Sequence, residues 1–183
     1  MRKAIVSTFA TLDGVYESPE EWSLDYFDEE AAKFANEQLF SADALLLGRK
    51  TYQGFTEAWP SRTGDFADKM NSMSKYVVST TLAEPLAWNN STLIQDNVAQ
   101  EVARLKEQSG QDILIYGSGQ LCNTLLRRGL VDEYRRWVVP VIWGSGKRSF
   151  EGLNAIRLEL VFAKPLPSGT VILSHTPAQD GSE

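Results

Sequence analysis

Short apolar runs alternate with segments of helical spacing through the first two thirds of the chain. Lys3–Phe9, Ala44–Leu47, Tyr76–Ser79, Ser91–Ile94 and Ile113–Tyr116 each concentrate apolar and β-branched residues over a few positions, the pattern of short strands buried in a sheet. Between them the period changes. Phe27, Ala31, Phe34, Ala35 and Leu39 fall on one stripe while Glu30, Lys33 and Glu37 fall on another, which predicts an amphipathic helix from about Asp28. Val98, Val102 and Leu105 predict a second helix over Val98–Gln108, with Gly110 as its stop signal. Shorter helices are predicted over Thr51–Glu57, which Trp59-Pro60 ends, within Ser61–Ser74, and over Gln120–Arg128 before Gly129.

After Gly129 strands dominate. Tyr134–Ile142 is β-rich apart from its arginines and Pro140, and Leu158–Phe162 with Val171–Thr176 flank Pro165-Leu166-Pro167-Ser168-Gly169 as a terminal antiparallel hairpin. Pro177–Glu183 reads as a frayed polar tail. The order predicts one α/β domain over residues 1–176, a three-layer sandwich with a mainly parallel central sheet and an antiparallel C-terminal edge. Ligands of such sheets bind beyond the carboxyl ends of the strands.

Two of the predicted strands run into a glycine and a helix start at that end. Ala44–Leu47 leads into Gly48-Arg49-Lys50-Thr51, and Asp112–Tyr116 into Gly117-Ser118-Gly119-Gln120. The first N–H groups of a helix lack intrahelical acceptors and favour an anion. Arg49 and Lys50 oppose the helix dipole where they stand, so an anionic ligand would compensate them, and Arg49 can grip a phosphate through parallel hydrogen bonds. Gly117-Ser118-Gly119 adds small residues tolerant of positive φ, and Ser79-Thr80-Thr81 can add neutral donors. Together they predict a ligand with more than one phosphate, a dinucleotide. The second turn matches a Rossmann fingerprint only in part, because Cys122 takes its last glycine position and no acid ends a strand about 20 residues on. Gly144-Ser145-Gly146-Lys147-Arg148 is no P-loop, since Val141 takes the earlier glycine position and Arg148 replaces the metal-binding hydroxyl.

Composition narrows the chemistry. The 183 residues suffice for one core, and no apolar stretch nears the roughly 20 residues of a membrane span. Met1-Arg2-Lys3 leads into a strand-like run instead of a signal-peptide core, so a cytoplasmic protein is expected. Net charge is −6, which disfavours nucleic acid and anionic membranes as partners and leaves a small molecule. One cysteine, Cys122, and one histidine, His175, offer no metal-ligand cluster; His175 reads as structural in the last strand and Cys122 as a small packed residue.

A resemblance joins these motifs. Leu12-Asp13-Gly14, Leu46-Leu47-Gly48-Arg49-Lys50-Thr51-Tyr52, Lys75-Tyr76-Val77-Val78-Ser79-Thr80, Ile115-Tyr116-Gly117-Ser118-Gly119-Gln120-Leu121, Leu130-Val131-Asp132-Glu133 and Pro140-Val141-Ile142-Trp143-Gly144 follow one another over nearly the whole chain. In this order they resemble the dihydrofolate reductase superfamily, in its riboflavin-biosynthesis reductase branch (RibD C-terminal type). The resemblance implies a dihydrofolate reductase-like fold and a metal-free, NADPH-dependent reductase acting on a pterin or an aminopyrimidine such as 5-amino-6-(5-phosphoribosylamino)uracil. It implies that Gly48, Arg49, Lys50, Thr51, Ser79 and Thr80 hold the adenine-side phosphates, and that Gly117, Ser118, Gly119, Gln120 and Leu121 hold the pyrophosphate. It also implies a loop at Ala10–Val15 beside the nicotinamide, and a homodimer.

Departures from that family pattern leave the substrate side open. Where folate reductases carry a carboxylate on the first helix this chain has Ala31-Ala32, and the nearest acids, Asp28 and Glu29, stand at the helix start. Asp13 and Asp28 are the candidates for a proton path, with ordered water as an equal, and Asp28 is also a natural helix cap. Trp22 is a candidate for stacking on a flat substrate, whereas Trp59 reads as core. Glu17, Glu20, Glu21 and Asp25 read as a solvated acidic loop, and Lys147 or Arg148 would have to fold over the site to meet a substrate phosphate. Tyr134–Trp143 is a candidate subunit interface, with Arg135 and Arg136 alternatively edge-strand charges. A catalytically silent NADP-binding sensor or scaffold is the alternative function.

Overall fold

Eight strands form one sheet in the computed structural model, which describes residues 1–178. In chain order the elements are β1 (Ala4–Thr11), α1 (Glu29–Phe40), β2 (Ala42–Gly48), α2 (Arg49–Ala58), α3 (Asp65–Ser72), β3 (Ser74–Val78), β4 (Ser91–Ile94), α4 (Val98–Glu107), β5 (Asp112–Tyr116), α5 (Gly119–Arg127), β6 (Glu133–Val139), β7 (Leu158–Pro165) and β8 (Val171–Pro177). The acidic segment between β1 and α1 contains 3₁₀ turns at Pro19–Glu21 and Leu24–Tyr26 where the sequence predicted only loop. Pro177 closes β8 instead of opening a tail, and residues 179–183 of the expected tail lie outside the described residues.

The strand order is β4-β3-β2-β5-β1-β6-β8-β7, parallel from β4 through β6 and antiparallel at β8 and β7. Helices carry the parallel crossovers except that from β3 to β4, which is a loop, and the carboxyl ends of β3, β2, β5 and β1 meet along one edge. Ile5, Leu45, Leu47, Val77 and Leu114 pack on one face against α1, α2 and α3; Val6, Leu46, Ile113 and Ile115 pack on the other against α4 and α5. That two-sided burial accounts for the continuous apolar run in β2.

β6 lies between β1 and β8, so Tyr134–Val139 is an interior strand and not a free edge. The outer strand on this side is β7, where Leu158, Leu160 and Val161 are exposed. Among the described residues no helix is long and apolar enough to cross a membrane.

Lys75 locks the far end of the sheet. It is fully buried, and its ammonium donates to the carbonyls of Asn71 (2.9 Å), Met73 (2.9 Å) and Asn89 (3.2 Å) while lying 4.3 Å from the Trp88 ring centre. Burial pulls its pKa down to about 8. Lys75→Met removes a donor from three carbonyls, of which that of Asn71 keeps the Asn89 side-chain amide at 3.0 Å, and is expected to cost about 2–4 kcal/mol in urea unfolding. Because the folded value lies below the ordinary 10.5, the unfolded chain keeps the proton longer; wild-type stability relative to the variant should therefore rise from pH 8 toward 10.5.

Candidate functional site

The parallel pairing of β2 with β5 sends both glycine turns out of the sheet side by side. They are bonded to each other. Gly48 N–H donates to Ser118 Oγ at 2.8 Å, Ser118 N–H donates to Thr51 Oγ1 at 3.1 Å, and the Ser118 hydroxyl donates to the Tyr116 carbonyl at 2.8 Å. Gly117 and Ser118 both adopt left-handed backbone, with φ of 53° and 56°. For serine that conformation costs about 1–3 kcal/mol, which the cross-turn hydrogen bonds offset. A Cβ on Gly117 would stand 3.1 Å from Thr51 Oγ1, so glycine is needed here for fit as well as for φ.

This junction leaves the starts of α2 and α5 facing the same space. No side chain caps either helix, and Arg49 and Lys50 are exposed with no ion-pair partner among the described residues. First-turn N–H groups and unpaired cations are what an extended polyphosphate requires, so the donor set fits a dinucleotide. At the end of β3, Thr80 is exposed, whereas Ser79 is buried and its Oγ accepts from the N–H groups of Thr81 (3.1 Å) and Leu82 (3.0 Å).

Residues 2–172 match the model of the RibD C-terminal domain. The chain belongs to the RibD C-terminal domain family. It is 32% identical over 179 residues to the uncharacterised protein YyaP of Bacillus subtilis (strain 168), covering 93% of this chain and 92% of that one. Its fold is similar to a pyrimidine reductase-like protein from Corynebacterium diphtheriae, with TM-score 0.72, 14% identity and coverage of 98% and 93% of the two chains. It is likewise similar to dihydrofolate reductase from Enterococcus faecalis complexed with NADP(H), with TM-score 0.68, 14% identity and 97% of each chain covered. At these identities the two structures show the fold alone.

In this RibD C-terminal domain the loop after β1 is strapped down beside the turns. Asp13 Oδ1 accepts from the Thr11 hydroxyl (2.6 Å) and Trp143 N–H (3.1 Å), and Oδ2 accepts from Gly144 N–H (2.9 Å). These bonds, the Thr11 hydroxyl foremost, hold its carboxyl well below the usual carboxylate range. Val15 bridges to Arg148, Tyr16 N–H donates to the Lys147 carbonyl at 3.0 Å, and Lys147 and Arg148 pair with Glu17 (3.5 Å) and Asp13 (3.6 Å). Lys147 and Arg148 therefore bind the loop's own acids. Strapping brings the Tyr16 ring onto the start of α5, where a Cβ on Gly119 would lie 2.3 Å from Tyr16 Cζ. Gly119 is small because a tyrosine rests on it.

The other expected site residues are spread around this edge. Asp28 caps α1: Oδ1 accepts Ala31 N–H at 2.8 Å, and Oδ2 accepts Ser168 N–H from the β7–β8 turn at 2.7 Å. Both Asp13 and Asp28 are thus filled by protein donors. Trp22, expected to offer a stacking face, is instead 5% exposed, packed inside the 3₁₀ segment with its indole N–H donating to the Glu17 carbonyl at 3.0 Å. Trp59 packs on Phe55 and Phe66, and Cys122 is buried against the Gly117 carbonyl with its thiol pushed up to about 12 by burial.

Sequence reading missed the Thr51–Ser118 junction and Tyr16. It also missed an inner group on the α1 face, where Ser7 Oγ accepts from Gln38 Nε2 and Trp137 Nε1, both at 3.0 Å. Only the position of Tyr116, directly before Gly117, offered a signal for this last region. A cleft of about 430 Å³ lies at the opposite end of the strands, lined by Arg2, Asp43, Lys69 and Ser74, away from the turns.

The Asp28 cap generates a pH test. Hydrogen bonding, chiefly from Ala31 N–H, lowers its pKa from the ordinary 3.8, so the cap's contribution is complete above that value and lost as pH falls through the lower folded one. Asp28→Ala should lower the melting temperature at pH 7. The gap from wild type should close on acidification below 3.8.

Proposed function

We propose that this domain is an NADPH-dependent reductase of a flat heterocyclic or carbonyl substrate, of the pterin or aminopyrimidine kind. The observation that carries this reading is the junction of the two turns, which sets two helix starts without side-chain caps side by side, with Arg49 and Lys50 exposed at one of them and unpaired among the described residues. Family membership and the likeness to a dihydrofolate reductase complexed with NADP(H) support it. When bound, NADPH supplies the hydride. The protein's part is to grip, orient and exclude water: α5 receives the pyrophosphate, while Arg49, Lys50 and Thr80 receive the 2′-phosphate end.

Asp13 acts in this reading as a loop clamp, and the proton reaches the substrate from water. One observation favours the second reading, a silent NADP-binding sensor: the α1 face has no carboxylate where folate reductases place one, and Asp13 and Asp28 are both engaged. Incubation with NADPH and a panel of pterins, aminopyrimidines and quinones separates the two, since NADPH binding without reduction of any panel member would leave the sensor. Homodimerisation belongs to the same proposal and is supported by the exposed apolar residues of β7. Sedimentation as a monomer at micromolar concentration would remove it.

Arg49→Ala should weaken NADPH binding about 10–100-fold, the worth of a charge-assisted hydrogen bond, and NADH binding much less. Calorimetry giving equal losses for the two coenzymes would remove Arg49 from the 2′-phosphate. Tyr16→Ala uncovers the start of α5 and should speed NADPH association in stopped-flow fluorescence; an unchanged rate would mean that the ring does not stand in the path.

A further inference from the structure

We infer that the Tyr116 hydroxyl recognises the substrate, donating a hydrogen bond to a carbonyl oxygen of a neutral, flat ring that enters between α1 and α2. This rests on the reductase reading above and specifies its substrate class.

Tyr116 ends β5 directly before Gly117 and is the register partner of Ser7 on β1. Its ring packs edge-on to Phe55 of α2, with centroids 6.0 Å apart, and its hydroxyl is buried on the α1 side near Gln38. That hydroxyl has no hydrogen-bond partner among the described residues. A buried polar group left unpaired costs about 1–3 kcal/mol and is rare in native proteins, so its retention calls for a reason.

Gln38 can offer the hydroxyl its second amide N–H, but the acceptor oxygens nearby are already engaged. Gln38 Nε2 donates to Ser7 Oγ, Gln38 Oε1 accepts from Arg135, and Ser7 Oγ already takes a second N–H from Trp137. Burial pushes the phenol up to about 12, which keeps it a protonated donor at any working pH. What is missing is an acceptor.

The surroundings select the kind of molecule that brings one. α1 turns Ala31, Phe34, Ala35, Gln38 and Leu39 toward the sheet, with no carboxylate among them. Arg135 is the charged group that acts on Tyr116, and it is a cation. A protonated heterocycle would be buried here without a counter-ion, at high cost. A neutral ring bearing a carbonyl brings the acceptor that Tyr116 lacks and meets the aromatic pair of Tyr116 and Phe55.

Tyr116→Phe in the full chain tests this with three measurements. Urea unfolding should show the variant at least as stable as wild type, because the hydroxyl it loses is unpaired in the free protein. Calorimetry should give unchanged NADPH affinity. With 1,4-naphthoquinone as the neutral dicarbonyl probe and dihydrofolate as the comparison, wild type should favour the quinone, and the variant should raise its KM about tenfold or more. Loss of stability would make the hydroxyl structural and overturn the inference. Unchanged quinone kinetics in the variant, or a wild type that binds NADPH yet does not reduce the quinone, would overturn it; the reductase reading itself falls only if the pterins and aminopyrimidines of the panel are not reduced either.

Discussion

Ser118 is the fastener on which the functional edge depends. β2 and β5 would lie adjacent in any sheet of this order, but adjacency alone does not fix the relative height or direction of the loops that leave them. The serine hydroxyl, held by a left-handed backbone, takes the Gly48 N–H and reaches the Tyr116 carbonyl, while its own N–H finds Thr51. Two separate strand ends become one rigid shelf. The cations of α2 and the start of α5 owe their common direction to that short set of hydrogen bonds, and the strain at Ser118 is the local cost of obtaining it.

Carboxylates near this edge serve the architecture. Asp13 collects Thr11, Trp143 and Gly144, and Asp28 collects the α1 start and the β7–β8 turn. Each draws together segments more than a hundred residues apart in sequence, so the loops around the edge are positioned by ionised side chains that accept from backbone N–H groups. A carboxylate saturated in this way is a poor shuttle for protons and a good anchor.

Much of the frame was legible in the sequence because its signals are local. The stripe of Phe27, Ala31, Phe34, Ala35 and Leu39 marks α1, the continuous apolar run marks β2, and Gly48 and Gly117 mark where strands give way to helices. The turns' cations were readable as well, since Arg49 and Lys50 violate the dipole preference in plain view. Trp22 was misread because an aromatic residue in a polar segment looks exposed until the segment coils into 3₁₀ turns around it. The interior position of β6 was hidden for a related reason: Arg135 looks like an edge-strand charge, yet it is spent on Glu133 and Gln38. Tyr16 carried no mark at all, for its contact with Gly119 arises only when Lys147 and Arg148 pull the loop across.

Tyr16 and Gly119 consequently form a single unit of inheritance. A side chain at position 119 collides with the ring, and a smaller residue at position 16 removes the reason for glycine, so neither position can drift freely while the other stays fixed. In descendants of this chain the pair should change in concert, a methyl group gained on the helix matched by bulk shed from the loop. A covarying tyrosine and glycine would then trace how the covering loop was remodelled, even where overall similarity has faded.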